Sequence, residues 1–230
     1  MFFPFSILTR VTPSNRIYKD ISKLVIRIDK YQEKNVDKLI AYVQRIAPTN
    51  AIINLEDIKG PDCFTFGNKL IEIVECPMFH DDQHGTACIV LAGLINATKL
   101  RGSKPEEMKI VMNGSGAAVV CSLLMEYGYK NLFVCDTYKG RPVGMNPFKE
   151  KIAEIANKDC VQGTLSDVLK GADVVIGLSG PNTISKEDAK LMNEKPIVFT
   201  LVNPIPEIFP ADAFEAGTYI VATGRSDFHN

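Results

Sequence analysis

Two acidic clusters and one glycine turn are the residues of this chain with the most chemistry to offer. Glu56 and Asp57 close the run Asn54-Leu55-Glu56-Asp57. Asp81 and Asp82 stand inside Phe79-His80-Asp81-Asp82-Gln83-His84-Gly85-Thr86, and Gly114-Ser115-Gly116-Ala117-Ala118 follows. Magnesium and manganese take oxygen ligands in octahedral geometry, a few carboxylates being completed by water or substrate. Glu56, Asp57 and Asp82 are candidates for three such oxygens. Carboxylates gathered without a cation repel one another, and a bound cation removes that cost. The opposing reading is two solvated loops, the usual fate of an Asp-Asp pair. His80 and His84 are spaced i, i+4, but Gly85 ends the run and no glutamate completes a zinc-protease pattern. They read as loop or helix-start residues rather than ligands.

Gly114-x-Gly116 follows an apolar strand-like run, Lys109–Asn113, and opens a helix-like one from Ala117. In that setting Gly114 allows a tight turn, and Gly116 lets the backbone approach a pyrophosphate. The helix N-terminus beyond, starting at Ala117, offers N–H groups and the positive end of its dipole. Asp136 closes the next strand, about twenty residues on, where an acidic side chain bonds the ribose hydroxyls of a dinucleotide. Such a residue repels a 2′-phosphate and favours NAD, whereas Lys139 nearby could serve NADP. Val119 stands where a third glycine is usual and would hold the helix slightly off the strand. The alternative is an ordinary strand-to-helix turn that uses glycine for geometry alone. A metal held by carboxylates beside a dinucleotide fold points to oxidation of a hydroxy acid that also chelates the metal.

The elements that must position these residues follow from periodicity. Leu24–Ile28 and Ala51–Leu55 are β-branched, apolar runs, and the second delivers Glu56 and Asp57 at its C-terminal end. Asn35–Ile46 has helical spacing and stops before Pro48; Phe64–Val74 is also helical. Pro77–Phe79 is extended, and Thr86–Leu100 is a mostly apolar helix closed near Gly102. From there strands and helices alternate: strand 109–113, helix 117–127, strand 131–136, helix 146–156, and a short helix 164–170 capped by Thr164. Further strands cover 172–177, 196–201 and 218–222. Continuous apolar strands alternating with helices predict a parallel sheet covered on both faces, an α/β fold of the Rossmann-like, doubly wound kind. Residues 1–17 show no clear period.

The 230 residues balance 26 basic against 27 acidic side chains, with 46% hydrophobic and 23% charged. No basic stripe among them points to nucleic acid. The opening Met1-Phe2-Phe3-Pro4-Phe5 is too short and too proline-broken for a membrane span or a signal peptide. Cysteines at 63, 76, 88, 121, 135 and 160 form no C-x-x-C pair, and most lie in apolar runs. They read as buried free thiols of a reducing, cytoplasmic compartment.

The motifs together resemble the malic enzymes, particularly the small bacterial type. The resemblance rests on Asn-Leu-Glu-Asp-Ile-Lys at 54–59 and Phe-His-Asp-Asp-Gln-His-Gly-Thr-Ala at 79–87. Gly-Ala-Asp-Val-Val-Ile-Gly-Leu-Ser-Gly-Pro at 171–181, Asn203-Pro204 and Ala-Thr-Gly-Arg-Ser-Asp at 222–227 add to it. It implies part of the family's N-terminal domain over 1–80 and a dinucleotide-binding domain over 81–230. It implies oxidation of malate with NAD or NADP, decarboxylation of the product, and release of pyruvate and carbon dioxide, with Mg2+ or Mn2+ required. Carried over by motif, Glu56, Asp57 and Asp82 are the metal ligands, and Asp81 supports the catalytic lysine. Gly114, Gly116, Ala117 and Asp136 hold the cofactor, with Asn203 near the nicotinamide and substrate. Assembly as a homodimer or larger homo-oligomer is also implied. The family's lysine base and tyrosine acid have no counterpart here: Met1–Ile17 holds no lysine, and Tyr18 lies outside the tyrosine's motif. The family's asparagine pair would fall beyond Asn230. The resemblance therefore implies a chain incomplete at both ends. An alternative is a catalytically inactive module that binds cofactor and metal.

Overall fold

In the computed structural model the described residues are 25–28, 36–55, 62–114, 117–135, 163–225 and 227–228, with backbone only at 25–28, 62–65, 82, 83 and 118. The chain forms two compact units, Met1–Thr86 and Ala87–Asn230.

In the first unit, strands β1 (Val25–Ile28), β2 (Ile52–Leu55) and β3 (Met78–His80) form a parallel sheet in the order β1-β2-β3. Helices α1 (Val36–Ile46) and α2 (Asp62–Ile73) connect them. The apolar residues of α1 recur every three or four positions, which lays Leu39 and Val43 on one buried stripe. Pro48 cannot continue the helix, so the chain passes into a single 3-10 turn, Ala47–Thr49. There Thr49 Oγ1 and Asn50 Nδ2 both donate to the Ile46 carbonyl, at 2.8 and 2.7 Å, replacing lost helical bonds. Alternation along β2 turns Ile53 and Leu55 inward, where they meet Leu39, Val43, Phe66 and Leu70.

The second unit holds a five-stranded parallel sheet. Its strands are β4 (Lys109–Asn113), β5 (Asn131–Cys135), β6 (Val174–Gly177), β7 (Ile197–Thr200) and β8 (Ile220–Thr223), in the order β5-β4-β6-β7-β8. Successive residues of a strand face opposite ways, so each strand feeds two cores. Ile110, Met112, Val174, Ile176, Ile197 and Phe199 pack against α3 (Thr86–Arg101) and α4 (Ala117–Tyr127). Val111, Val175 and Val198 pack on the other side against residues of α5 (Leu165–Leu169), α6 (Lys186–Lys190) and α7 (Pro210–Glu215). The doubly wound α/β fold read from the strand pattern is present, with β4 and α4 spanning the residues expected of them. The helix expected over 146–156 lies outside the described residues.

Two short helices, α6 and α7, are additions to the sequence reading. Ser185 begins α6 with a capping box: its hydroxyl accepts from Asp188 N, and Asp188 accepts from Ser185 N. At the N-terminal edge of the sheet, buried Asp173 ties α3 to the strands. It accepts from Arg101 Nη2 at 2.6 Å, Lys109 N at 2.8 Å and Asn193 Nδ2 at 2.9 Å. Among the described residues no helix is long and apolar enough to cross a membrane. The expectation of buried thiols needs correction. Cys76, Cys88, Cys121 and Cys135 are free thiols as read, but only Cys121 is buried and Cys88 is exposed, because it lies on the outer face of α3.

Candidate functional site at the strand ends

In a parallel sheet all strands point the same way, so their C-terminal ends share one edge. Ligands bind there where neighbouring connections leave in opposite directions. From β4 the chain runs to β5 on one side and then returns to β6 on the other, which makes the β4/β6 gap that point. The turn after β4 and the loop after β6 face each other across it. Leu178 N donates to Asn113 O at 2.8 Å, and Gly114 N donates to Cys135 O at 2.9 Å. Gly114 has φ +129, and a Cβ there would lie 2.3 Å from the Leu178 carbonyl oxygen. No other residue fits this crossing of two backbones. Asn113 Nδ2 reaches across the gap to Ser179 Oγ at 3.0 Å and Thr183 Oγ1 at 3.3 Å.

Ala117 opens α4 directly behind the turn, fully buried, its N–H donating to Gly114 O at 3.3 Å. The first turn of α4 thus begins at the crevice, with the unsatisfied N–H groups and dipole end that suit a phosphate. These residues fit a dinucleotide pyrophosphate. Val119 is accommodated by packing against the α3/α4 core. Gly116 and Asp136 lie outside the described residues, although β5 ends at Cys135, one residue before Asp136.

Two more features belong to this edge, and the first of them, Glu207, escaped sequence reasoning. Glu207 is completely buried, yet its carboxyl group accepts from Thr200 Oγ1 at 2.9 Å, Val202 N at 3.3 Å and Ser179 N at 3.3 Å. The only signal for it was a single carboxylate set in the apolar stretch Ile205-Pro206-Glu207-Ile208. Asn203 is exposed, in a cis peptide bond to Pro204, and the carbonyl of Pro204 accepts from Arg225 Nη1.

The acidic clusters belong to the first unit. The register of β2 and β3 pairs Leu55 with His80, so Glu56 and Asp81 each follow one residue of the same register pair. Asp81 is exposed and starts a π-type turn, Asp81–Gly85, with its carboxylate folded over Gly85, where a Cβ would come within 2.4 Å of Oδ1. His80 is buried, and desolvation holds its pKa below the ordinary value, helped by the nearby His84 and opposed by Asp81. Glu56 and Asp57 lie outside the described residues, as does the side chain of Asp82. Among the described residues no three His, Cys, Asp or Glu side chains gather as a metal site.

Comparison with known proteins agrees with this geometry. The sequence profile "Malic enzyme, N-terminal domain" matches residues 10–71. The "Bifunctional malic/malolactic enzyme" of Bacillus subtilis is 46% identical over 202 residues, covering 85% of this chain and 49% of that protein. The "NAD-dependent malic enzyme" of Geobacillus stearothermophilus is 44% identical, covering 86% of this chain and 42% of that protein. Among solved structures, the malic enzyme of Entamoeba histolytica superposes with a TM-score of 0.81 at 40% identity, over 86% of this chain and 43% of that one. The chain thus spans about half the length of these relatives. With its N-terminal profile, its parallel dinucleotide-type sheet and this identity over most of its residues, the chain belongs to the malic enzyme family.

Proposed function

We propose that this chain serves NAD(P)-dependent oxidative decarboxylation of malate to pyruvate and carbon dioxide, with a divalent metal. The observation that carries the reading is the register of β2 and β3, which pairs Leu55 with His80, the residues that precede Glu56 and Asp81 in the chain, together with the Gly114 turn at a topological switch point. Glu56, Asp57 and Asp82 would hold Mg2+ or Mn2+. Gly114, Gly116 and Ala117 would receive the pyrophosphate, and Asp136 the adenine ribose. Asn203 would lie near the nicotinamide and substrate, and Asp81 would support proton transfer. The bound cation would polarise the C2–O bond of malate and stabilise the enolate left by carbon dioxide, while the nicotinamide accepts the C2 hydride. The protein's own share is alignment of these partners and exclusion of competing positions. We take the working form to be a homodimer or larger homo-oligomer, and the free thiols accord with a cytoplasmic setting.

A second reading is favoured by one sequence observation: Met1–Ile17 holds no lysine. General acid–base groups each contribute about 10²- to 10⁴-fold, so a chain in which no residue takes the base and acid roles would bind cofactor and metal yet turn over little malate. Formation of NADH or NADPH from malate by the purified chain with manganese separates the two. Sustained turnover supports the enzyme and assigns the base to another residue, with Lys19 and Lys23 the first to test. Binding without turnover supports the inactive module.

A further inference from the structure

Glu207 lies in the second unit with no exposed surface. A buried carboxyl group is retained only where it is bonded, and this one is bonded to two separate loops. Ser179 N belongs to the loop after β6, and Val202 N to the loop after β7 that carries Asn203. Thr200 Oγ1 holds the group from the end of β7 and in return accepts from Glu207 N at 2.9 Å. Room for the carboxyl group comes from Gly177 at the end of β6: a Cβ there would lie 2.4 Å from the Glu207 carboxyl carbon. Glu207, Gly177 and Thr200 thus lock together two loops on one side of the β4/β6 gap.

A dinucleotide laid across the switch point has its adenosine half on the β5 side, where Asp136 follows the strand. Its other half falls over the ends of β6 and β7. We propose that Glu207 is a positioning residue for the nicotinamide half of the cofactor, acting through the 178–180 and 201–204 loops; this rests on the dinucleotide reading of the Gly114 turn. The group touches no reacting atom in this scheme. It fixes the height and spacing of the loops against which the nicotinamide ring packs.

Glu207→Gln keeps the shape but turns one acceptor into a donor, facing either Ser179 N–H or the Val202 N–H and Thr200 pair. Gly177→Ala keeps the carboxyl group but pushes it aside. The full-length chain and both variants are titrated with NADH by fluorescence and with ADP-ribose, which lacks the nicotinamide, by calorimetry. The 2′-phosphorylated counterparts replace them if the unmodified chain prefers those. Each variant is expected to bind NADH about tenfold more weakly while ADP-ribose stays within about twofold, the loss of a buried hydrogen bond on one half only. Equal weakening of both ligands, including through misfolding of both variants seen by circular dichroism, overturns the proposal, as does unchanged NADH binding. If one variant misfolds, the other decides. If the unmodified chain binds neither ligand, the dinucleotide reading itself fails and the proposal falls with it.

Discussion

Burial separates the chemistry of side chains that are identical in sequence. Cys121 on α4 is completely buried, and desolvation pushes its thiol up to about 11 from an ordinary 9.0. The folded state therefore keeps a proton that the unfolded chain gives up. The stabilisation from Cys121 is present below pH 9 and is lost as pH rises from there towards 11. Urea titrations of the wild type and Cys121→Ala should have a stability difference that shifts by about 2 kcal/mol over that window in favour of the variant. A difference independent of pH would refute the assignment. Asp82 supports a prediction of another kind, because a ligand bound only by the folded state raises its stability. Manganese should raise the melting temperature of the wild type and leave Asp82→Ala unmoved. An equal rise in both would remove Asp82 from the metal site.

Among the elements, legibility in the sequence depended on length, except where a cap gave a short element away, as Thr164 did for five-residue α5. β4, α4 and β5 were readable because a continuous apolar run within each five-residue strand, a glycine turn and three helical turns each carry their own signal. α6 and α7 are five and six residues long, less than two turns, and too short for periodicity to register. Their ends carry the signal instead: Ser185 with Asp188 three residues later, and Pro210 at the first helical position. Ser185→Ala should therefore lower stability by about 1 kcal/mol in urea unfolding, and no change would mean that packing alone holds α6. The capping box at α5, in which Thr164 and Asp167 exchange bonds, has a pH signature as well. Bonds from the backbone and hydroxyl of Thr164, then Lys170, hold the Asp167 carboxyl down at about 2. Its contribution is complete above the ordinary value of 3.8 and is lost as pH falls through 2.

At the level of the whole molecule, two compact units divide the candidate chemistry, with the acidic motifs in Met1–Thr86 and the glycine turn in Ala87–Asn230. If the turn binds a dinucleotide, cofactor at a hundredfold its dissociation constant should stabilise the folded chain by about 2.7 kcal/mol. The cofactor that raises the melting temperature more at equal concentration identifies the preference, and Asp136 makes NAD the expected one. Asp136→Ala should remove most of the NAD-dependent rise, and a full rise in that variant would exclude Asp136 from the ribose site.

Local chemistry was enough for the sequence to determine the α/β class, the parallel sheet, the glycine turn behind β4 and the acidic motifs at strand ends. Each of these depends on residues within a few positions of one another, where apolar period and turn geometry act directly. Contacts across the fold were decided only by tertiary structure. Strand order brings the Leu178 backbone against Gly114, and the register of β2 with β3 sets Leu55 beside His80. The bond between Ser179 and Glu207 joins residues 28 positions apart, over a glycine on a neighbouring strand. No spacing along the chain encodes such a meeting, because it is fixed by which strands pair and how far each loop reaches beyond the sheet.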